Sequence, residues 1–419
     1  MKRTVLLAAL TAAALVASAC GRDDGGGTAE EGTEVGAGKA SGEITVWAMG
    51  TEGEKLSVLA EDFMKENPDA TVTVTPVPWD GAHSKLSTAI AGQQTPDVTM
   101  LGTTWVGEFA KTGALDVVPP DLVSEEDFFP GAWETGVVDG TSYSVPWYVE
   151  TRLLYVNKAV AEKAGVTEAP TTWDGLKQAV RDMQTKGGAR WGIYLQPGQM
   201  GAWQTVMPFV WQNGGEIHDG EQFRLDSPEV TEALAYYRSF YDEGLSTRNR
   251  LREGETEPKL LSGELASFVS GPWHIGLLDE LGGEGGYEVW PMPEGDGEYT
   301  SFIGGSNMSV FENARNRDGA WKFVSYLMRP EVQVKWYRTV NDLPSVPAAW
   351  DDPALSGDPL LATFGDQLDR AKAPPAIPTW EQIAAGVDTE LEKLAKGTTS
   401  ARDAAKAMQA QATSIGTGG

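Results

Sequence analysis

Cysteine is nearly missing from this chain: Cys20 is the only one in 419 residues. No disulfide framework, cysteine zinc site or thiol redox pair can be assembled from it, so the fold must stand on its hydrophobic core. Histidine is scarce too, and His83, His218 and His274 are too scattered for an H-E-x-x-H zinc site. There is no P-loop or dinucleotide fingerprint, and Gly282-Gly283-Glu284-Gly285-Gly286 reads as a flexible turn. The nucleophile elbow G-x-S-x-G is also lacking, since Gly304-Gly305-Ser306-Asn307-Met308 breaks its last position. The chain is therefore expected to use no metal and no cofactor. Beyond Ala19 no apolar run approaches the ~18 residues that a membrane-spanning helix needs. Positive charge is in deficit: 33 basic residues against 60 acidic ones give a formal charge of −27. Such a surface repels nucleic acid and anionic lipid. The acidity is spread along the chain, so it speaks for solubility rather than for a particular partner.

What the chain does have begins at the N-terminus. Lys2 and Arg3 precede an almost wholly apolar run from Val5 to Ala17, and Ala17-Ser18-Ala19 supply small residues for cleavage. Residues 1–19 thus form a secretion signal. A cut before Cys20 would make its thiol the first side chain, as in bacterial lipoproteins, whose cysteine takes diacylglycerol. The usual leucine three residues earlier is Ala17 here, and an ordinary signal with a nearby cysteine is the alternative. The want of any other cysteine to pair with favours the lipid. From Gly21 to Gly42, eight of 22 residues are glycine, five are acidic, and Val35 is the only large apolar one. Residues 20–42 are therefore expected to be a flexible tether to the outer face of a membrane.

The remaining length suits two or three domains. Glu43 to Met49 alternates as a strand, Glu54 to Glu66 has helical spacing, and Thr71 to Val77 is a second strand. A helix from Asp80 to Ala91 leads to a third strand, Asp97 to Leu101. This is the order of a parallel α/β sheet. Tyr143 to Val149 and Arg152 to Val156 read as a strand pair. Helical patterns then dominate (Trp173 to Gln184, Ala202 to Trp211, Pro228 to Tyr241). Short strands at Trp191 to Leu195, Ala266 to Val269 and Tyr287 to Trp290 suggest a second α/β lobe. Ser301 to Phe311 is a further strand, and there is no internal repeat.

Tryptophan is over-represented at 15 residues, and several stand where strands give way to helices. Trp47, Trp79, Trp105, Trp273 and Trp380 occupy such junctions, and Trp147 lies in the expected crossing between lobes. Ligands of parallel α/β sheets bind at the carboxyl ends of the strands. Flat rings there can cover the apolar face of a sugar while Glu54, Glu150 and Arg152 satisfy its hydroxyls. A single tryptophan is more often a core residue; it is the set at sheet ends that points to a ligand. Trp133, Trp321 and Trp336 are assigned to packing, and His83 to an ordinary surface or capping role.

Four segments in order resemble the extracellular solute-binding proteins of carbohydrate ABC importers, the group that includes maltodextrin-binding proteins. They are Thr95 to Val98 with Gly102 to Trp105, Tyr143 to Arg152, Ser270 to Trp273, and Ile303 to Asn307. The resemblance runs from about Glu43 to the C-terminus. It implies an α/β periplasmic-binding-protein-like fold of type II, two lobes joined by a multi-strand hinge with the ligand cleft between them. Residues 43–148 and 303–345 would form the first lobe, and 149–302 and 346–419 the second. By position it makes Trp105, Trp273 and Trp380 stacking residues and Glu150 an acceptor of sugar hydroxyls. Glu54 falls near an acidic position, and Gly304 and Gly305 would let the backbone approach the sugar. The candidate ligand set is Glu54, Trp79, Thr104, Trp105, Trp147, Tyr148, Glu150, Arg152, Gln199, Trp203, Trp273, Gly304, Gly305 and Trp380, with Cys20 lipidated. Relatives that bind long maltodextrins carry Asp-Arg where this chain has Thr104-Trp105, a departure from maltodextrin specificity. The implied partners are a di- or oligosaccharide, such as trehalose or maltose, and a membrane permease with its ATPase. The protein is expected to be a monomer that touches the membrane only through its lipid and binds no nucleic acid. A lipid-anchored glycoside hydrolase and a non-transport sugar-sensing lipoprotein are the competing readings.

Overall fold

The computed structural model describes residues 32–199, 201–252 and 254–418. The signal segment 1–19 and Cys20 lie outside the described residues. In chain order the strands are β1 Gly42–Met49, β2 Ala70–Val77, β3 Val98–Gly102, a small ribbon of β4 Val137–Val138 and β5 Thr141–Ser142, then β6 Val145–Thr151 and β7 Leu153–Asn157. They continue with β8 Ser267–Ser270, β9 Tyr287–Trp290, β10 Ser301–Val310, β11 Leu343–Pro344 and β12 Ala371–Lys372. The large sheet has the order β11-β6-β10-β3-β1-β2, and β12 pairs with the start of β10. β1 runs parallel to β2 and β3, while β10 is antiparallel to β3 and β6. Alternating β-branched residues in β1 and β2 bury Ile44, Val46 and Val72 on the core side.

β6 and β7 are not partners. β6 belongs to the large sheet, whereas β7 is the centre of a three-stranded antiparallel sheet with β8 and β9. Arg152 alone separates them, too little chain for even a two-residue hairpin. The strand therefore runs on from one sheet into the other, and this is one crossing between lobes. β10 makes a second: its start pairs with β12 and its end with β3. β11, paired with Val149 and Tyr148, lies at a third. Buried side chains gather accordingly. One core draws on residues 40–147 and 308–346, another on 154–302 and 380–412. A third cluster, with Val149, Leu153, Ile303, Leu343 and Phe364, sits where the crossing strands meet.

Two local expectations change. The segment 191–195 makes only parallel bridges, Trp191 to Leu265 and Tyr194 to Phe268, rather than a full strand. Residues 32–41 are not a free spacer but lie along the first lobe. Val35 packs on its core, Ala40 is buried and donates to Asn67 Oδ1 at 2.9 Å, and Arg317 Nη2 holds the Thr33 carbonyl at 2.8 Å. Composition missed this because one valine and a few backbone bonds suffice when a fixed surface is already there to receive them.

Candidate functional site

The first wall of the inter-lobe cleft stands at the carboxyl ends of β1 and β3. Gly50 takes φ +56°, and a Cβ there would lie 2.7 Å from the Trp79 ring, so the indole lies directly over this glycine. Trp105 meets Trp79 edge-on at 5.6 Å and is itself braced by His83 at 5.3 Å. His83 Nε2 is 2.8 Å from Glu108 Oε2. Thr104 is half-buried in the single turn Thr103–Trp105. Along β6 the two-residue period turns Tyr148 and Glu150 to one face and Val149 and Thr151 to the other, and a bulge opposite Ser306 and Asn307 interrupts it at Trp147.

Three carboxylates gather around Tyr148. Glu52 accepts its hydroxyl hydrogen bond, and Ser306 Oγ donates to the same phenol oxygen at 3.1 Å. Glu150 accepts from Arg152 Nη2 at 3.2 Å, and Asp342 accepts from Trp336 Nε1 at 3.0 Å. Burial pushes the Glu52 carboxyl up, and the Glu150 charge adds to this against the lowering effect of its hydrogen bonds. Burial, then the Glu52 charge, lifts Asp342 well above the ordinary carboxylate range. A wall of this kind accepts hydroxyl donors and resists added negative charge.

Trp273 begins the helix Trp273–Glu280 on the other wall. Its ring folds over Gly271, where a Cβ would lie 2.0 Å from it. The buried Arg152 guanidinium lies 4.8 Å from this ring and 5.1 Å from Phe302, and donates to Gln204 Oε1 at 2.6 Å. Its Nη1 is buried with no hydrogen-bond partner among the described residues. Trp273 is 41% exposed and Trp79 37%; among the described residues no other tryptophan is classed as exposed. The cavity between the walls measures about 370 Å³ and is lined by Thr51, Tyr148, Glu150, Trp273, Leu277 and Asp342 among others. That lies within the ~300–1,000 Å³ of small-molecule sites.

The sequence pattern of the family described as bacterial extracellular solute-binding protein matches residues 48–334. The chain belongs to that family. This solute-binding protein is 28% identical over 432 residues to the diacetylchitobiose binding protein DasA of Streptomyces coelicolor, covering 98% of each chain. It is 26% identical to the maltotriose-binding protein of Pyrococcus abyssi, over 85% of this chain and 78% of that protein. The sugar-binding protein MalE from Xanthomonas citri superposes with a TM-score of 0.84 at 31% identity, over 89% of this chain and 97% of that one. The two lobes and their crossing strands are thus the type II periplasmic-binding-protein fold, as the resemblance implied.

Of the residues expected in this solute-binding protein's site, Tyr148, Glu150 and Trp273 line the cavity, Arg152 lies against Trp273 and Glu150, and Trp79 and Trp105 pack together over Gly50 with Thr104 in the adjoining turn. Other expected ligand residues are placed elsewhere. Trp147 is fully buried, stacks on Trp336 at 4.8 Å and meets Tyr148 edge-on at 5.8 Å, where a bulge interrupts the pairing of β6 with β10. Trp380 is fully buried, and Trp203, 5% exposed, meets it edge-on at 5.1 Å. Neither presents an open ring face. Glu54 is exposed to solvent; the helix starts at Gly50, so Glu52 takes the inward position. Gln199 accepts from Arg250 Nη1 at 2.8 Å. Gly304 and Gly305 make room for the protein itself. A Cβ on Gly304 would lie 2.5 Å from the Phe302 ring, and one on Gly305, at φ +127°, 2.1 Å from the Tyr148 carbonyl. Two members of the site had gone unread, Glu52 and Asp342. Asn341, at φ +64°, ends the helix Pro330–Val340 just before Asp342, and such an Asn is a stop signal visible in sequence.

Proposed function

We propose that this protein is the substrate-binding subunit of an ABC importer, capturing a di- or oligosaccharide and delivering it to a membrane permease. The observation that carries the reading is the pairing of one exposed tryptophan on each lobe with the Glu52, Glu150 and Asp342 carboxylates beside the cleft. Rings cover the apolar faces of sugar units, and carboxylates take their hydroxyls. Contact with both walls would close the lobes about the crossing strands and exclude water. The lobes divide near residues 148, 303 and 345. Cys20, as a diacylglycerol-bearing N-terminus, would hold the monomer on the outer face of the cell membrane. The sugars named for relatives differ, so trehalose and maltose stand beside diacetylchitobiose and maltotriose as candidates.

The test is intrinsic tryptophan fluorescence of the chain from Gly21 onward, titrated with trehalose, maltose, maltotriose, diacetylchitobiose, cellobiose and glucose. A saturable shift with intact sugar is expected. Silence across the panel removes the carbohydrate reading. Trp273→Ala should weaken binding by about tenfold or more while leaving the melting temperature of the free protein nearly unchanged. A second reading, a glycoside hydrolase, draws on Asp342, a carboxyl held towards its protonated form close to Glu150. Product analysis decides between them: any hydrolysis would overturn the binding-protein reading.

A further inference from the structure

Past Trp273 the second lobe carries a groove of about 380 Å³ that shares Trp273 and Leu277 with the inter-lobe cleft. It lies at the ends of β8 and of the segment bridged in parallel to it at Tyr194 and Phe268, the edge where α/β sheets present ligands. Three of its residues form a relay. Ser270 Oγ is 2.9 Å from His274 Nδ1, and His274 Nε2 is 3.2 Å from Glu257 Oε1. Burial, and then the Arg152 charge, pushes the His274 ring down to about 4, so at neutral pH it carries a single N–H. With Glu257 as acceptor, that proton sits on Nε2, and Nδ1 takes the Ser270 hydroxyl. Both donors of the relay are then spent.

Glu257 is nevertheless 5% exposed, and its Oε2 is buried with no hydrogen-bond partner among the described residues. An unmade acceptor of this kind is costly, and no donor among the described residues reaches it: Arg250 Nη1 donates to Gln199 Oε1 at 2.8 Å instead, and the Tyr194 hydroxyl accepts from the Leu251 amide at 3.2 Å. We propose that this groove is a second sugar subsite, in which Glu257 Oε2 accepts a hydrogen bond from a hydroxyl or amide N–H of the unit adjoining the ring at Trp273. The proposal rests on the carbohydrate-binding reading and deepens it. It makes the ligand at least a disaccharide, with a donor group on the unit that passes beyond Trp273.

Isothermal titration of the chain from Gly21 onward with maltose, maltotriose and diacetylchitobiose tests this in wild type, Glu257→Gln and Thr256→Trp. Glutamine keeps an oxygen for His274 but turns an amide donor to the Oε2 position. Thr256 also lines the groove, and a tryptophan there occupies it while keeping the Glu257, His274 and Ser270 side chains. For the sugar that wild type binds best, both variants should lose about tenfold or more in affinity. Should Glu257→Gln fail to fold, Thr256→Trp decides alone. Affinities equal to wild type would mean that a water satisfies Glu257 and would overturn the subsite while leaving sugar binding intact. A wild type that binds none of the three would overturn both.

Discussion

Glu52 and Glu54 sit two residues apart in the helix Gly50–Lys55, which sets them about 200° apart around its axis. Glu52 is half-buried and bonded to Tyr148; Glu54 faces solvent. Only the first should matter to a ligand. Glu52→Gln is expected to weaken sugar binding about tenfold, and Glu54→Gln to change it less than about twofold, both read by calorimetry. Equal effects would mean that the helix is rotated from the position seen here. The choice between these two glutamates was not legible in the sequence, because it depends on where the helix begins, and that is set by the left-handed turn at Gly50 under the Trp79 ring. The choice between Trp147 and Tyr148 was not legible either, because a bulge opposite Ser306 and Asn307 interrupts the alternation there, and the Trp336 ring that buries Trp147 comes from far along the chain.

Among the elements, the turn that leads into the helix Trp203–Gln212 is held from a distant part of the chain. Asp388, in the helix Trp380–Lys396, accepts from the Gly201 and Trp203 amides at 2.8 Å each. Burial still outweighs these bonds and raises its carboxyl to about 6. A carboxyl whose folded value lies above its unfolded one binds protons more tightly when folded. Its contribution to stability is therefore fully present below the unfolded value and is lost as pH rises through about 6. Wild type should gain stability relative to Asp388→Asn as pH falls from about 7 to about 5, read from denaturant unfolding at each pH. A parallel pH dependence in the two proteins would refute the burial argument. Sequence showed the first helix through its apolar spacing and Trp380 as the junction that opens the second, but not that one restrains the other. β1, β2, β3 and β10 were equally plain, since alternation is local, whereas the assignment of β6 and β7 to different sheets depends on strands far along the chain.

For the molecule as a whole, the lipid-anchor proposal would make the N-terminal segment decide how the cleft is presented. Residues 32–41 lie at the starting ends of β1 and β2, near Asn67 and Asn316, where Asn316 Nδ2 donates to the Ser41 carbonyl at 2.8 Å. The cleft lies at the other ends of those strands, by Gly50 and Trp79. On the lipid-anchor proposal, the eleven residues 21–31 are left to reach the membrane, and fully extended they span at most ~36–40 Å. The body would be held near the bilayer by the side opposite its cleft. If residues 32–41 are part of the fold, removing them must cost stability. A chain beginning at residue 42 loses the Ala40 bond to Asn67, the Arg317 bond to Thr33 and the packing of Val35. It should melt at least about 1 °C below a chain beginning at residue 32, which corresponds to about 1 kcal/mol for a protein of this size. Equal melting temperatures would show that the segment adds nothing to the body, and the tether would then extend to residue 41, one short of the Gly42 that composition alone suggests.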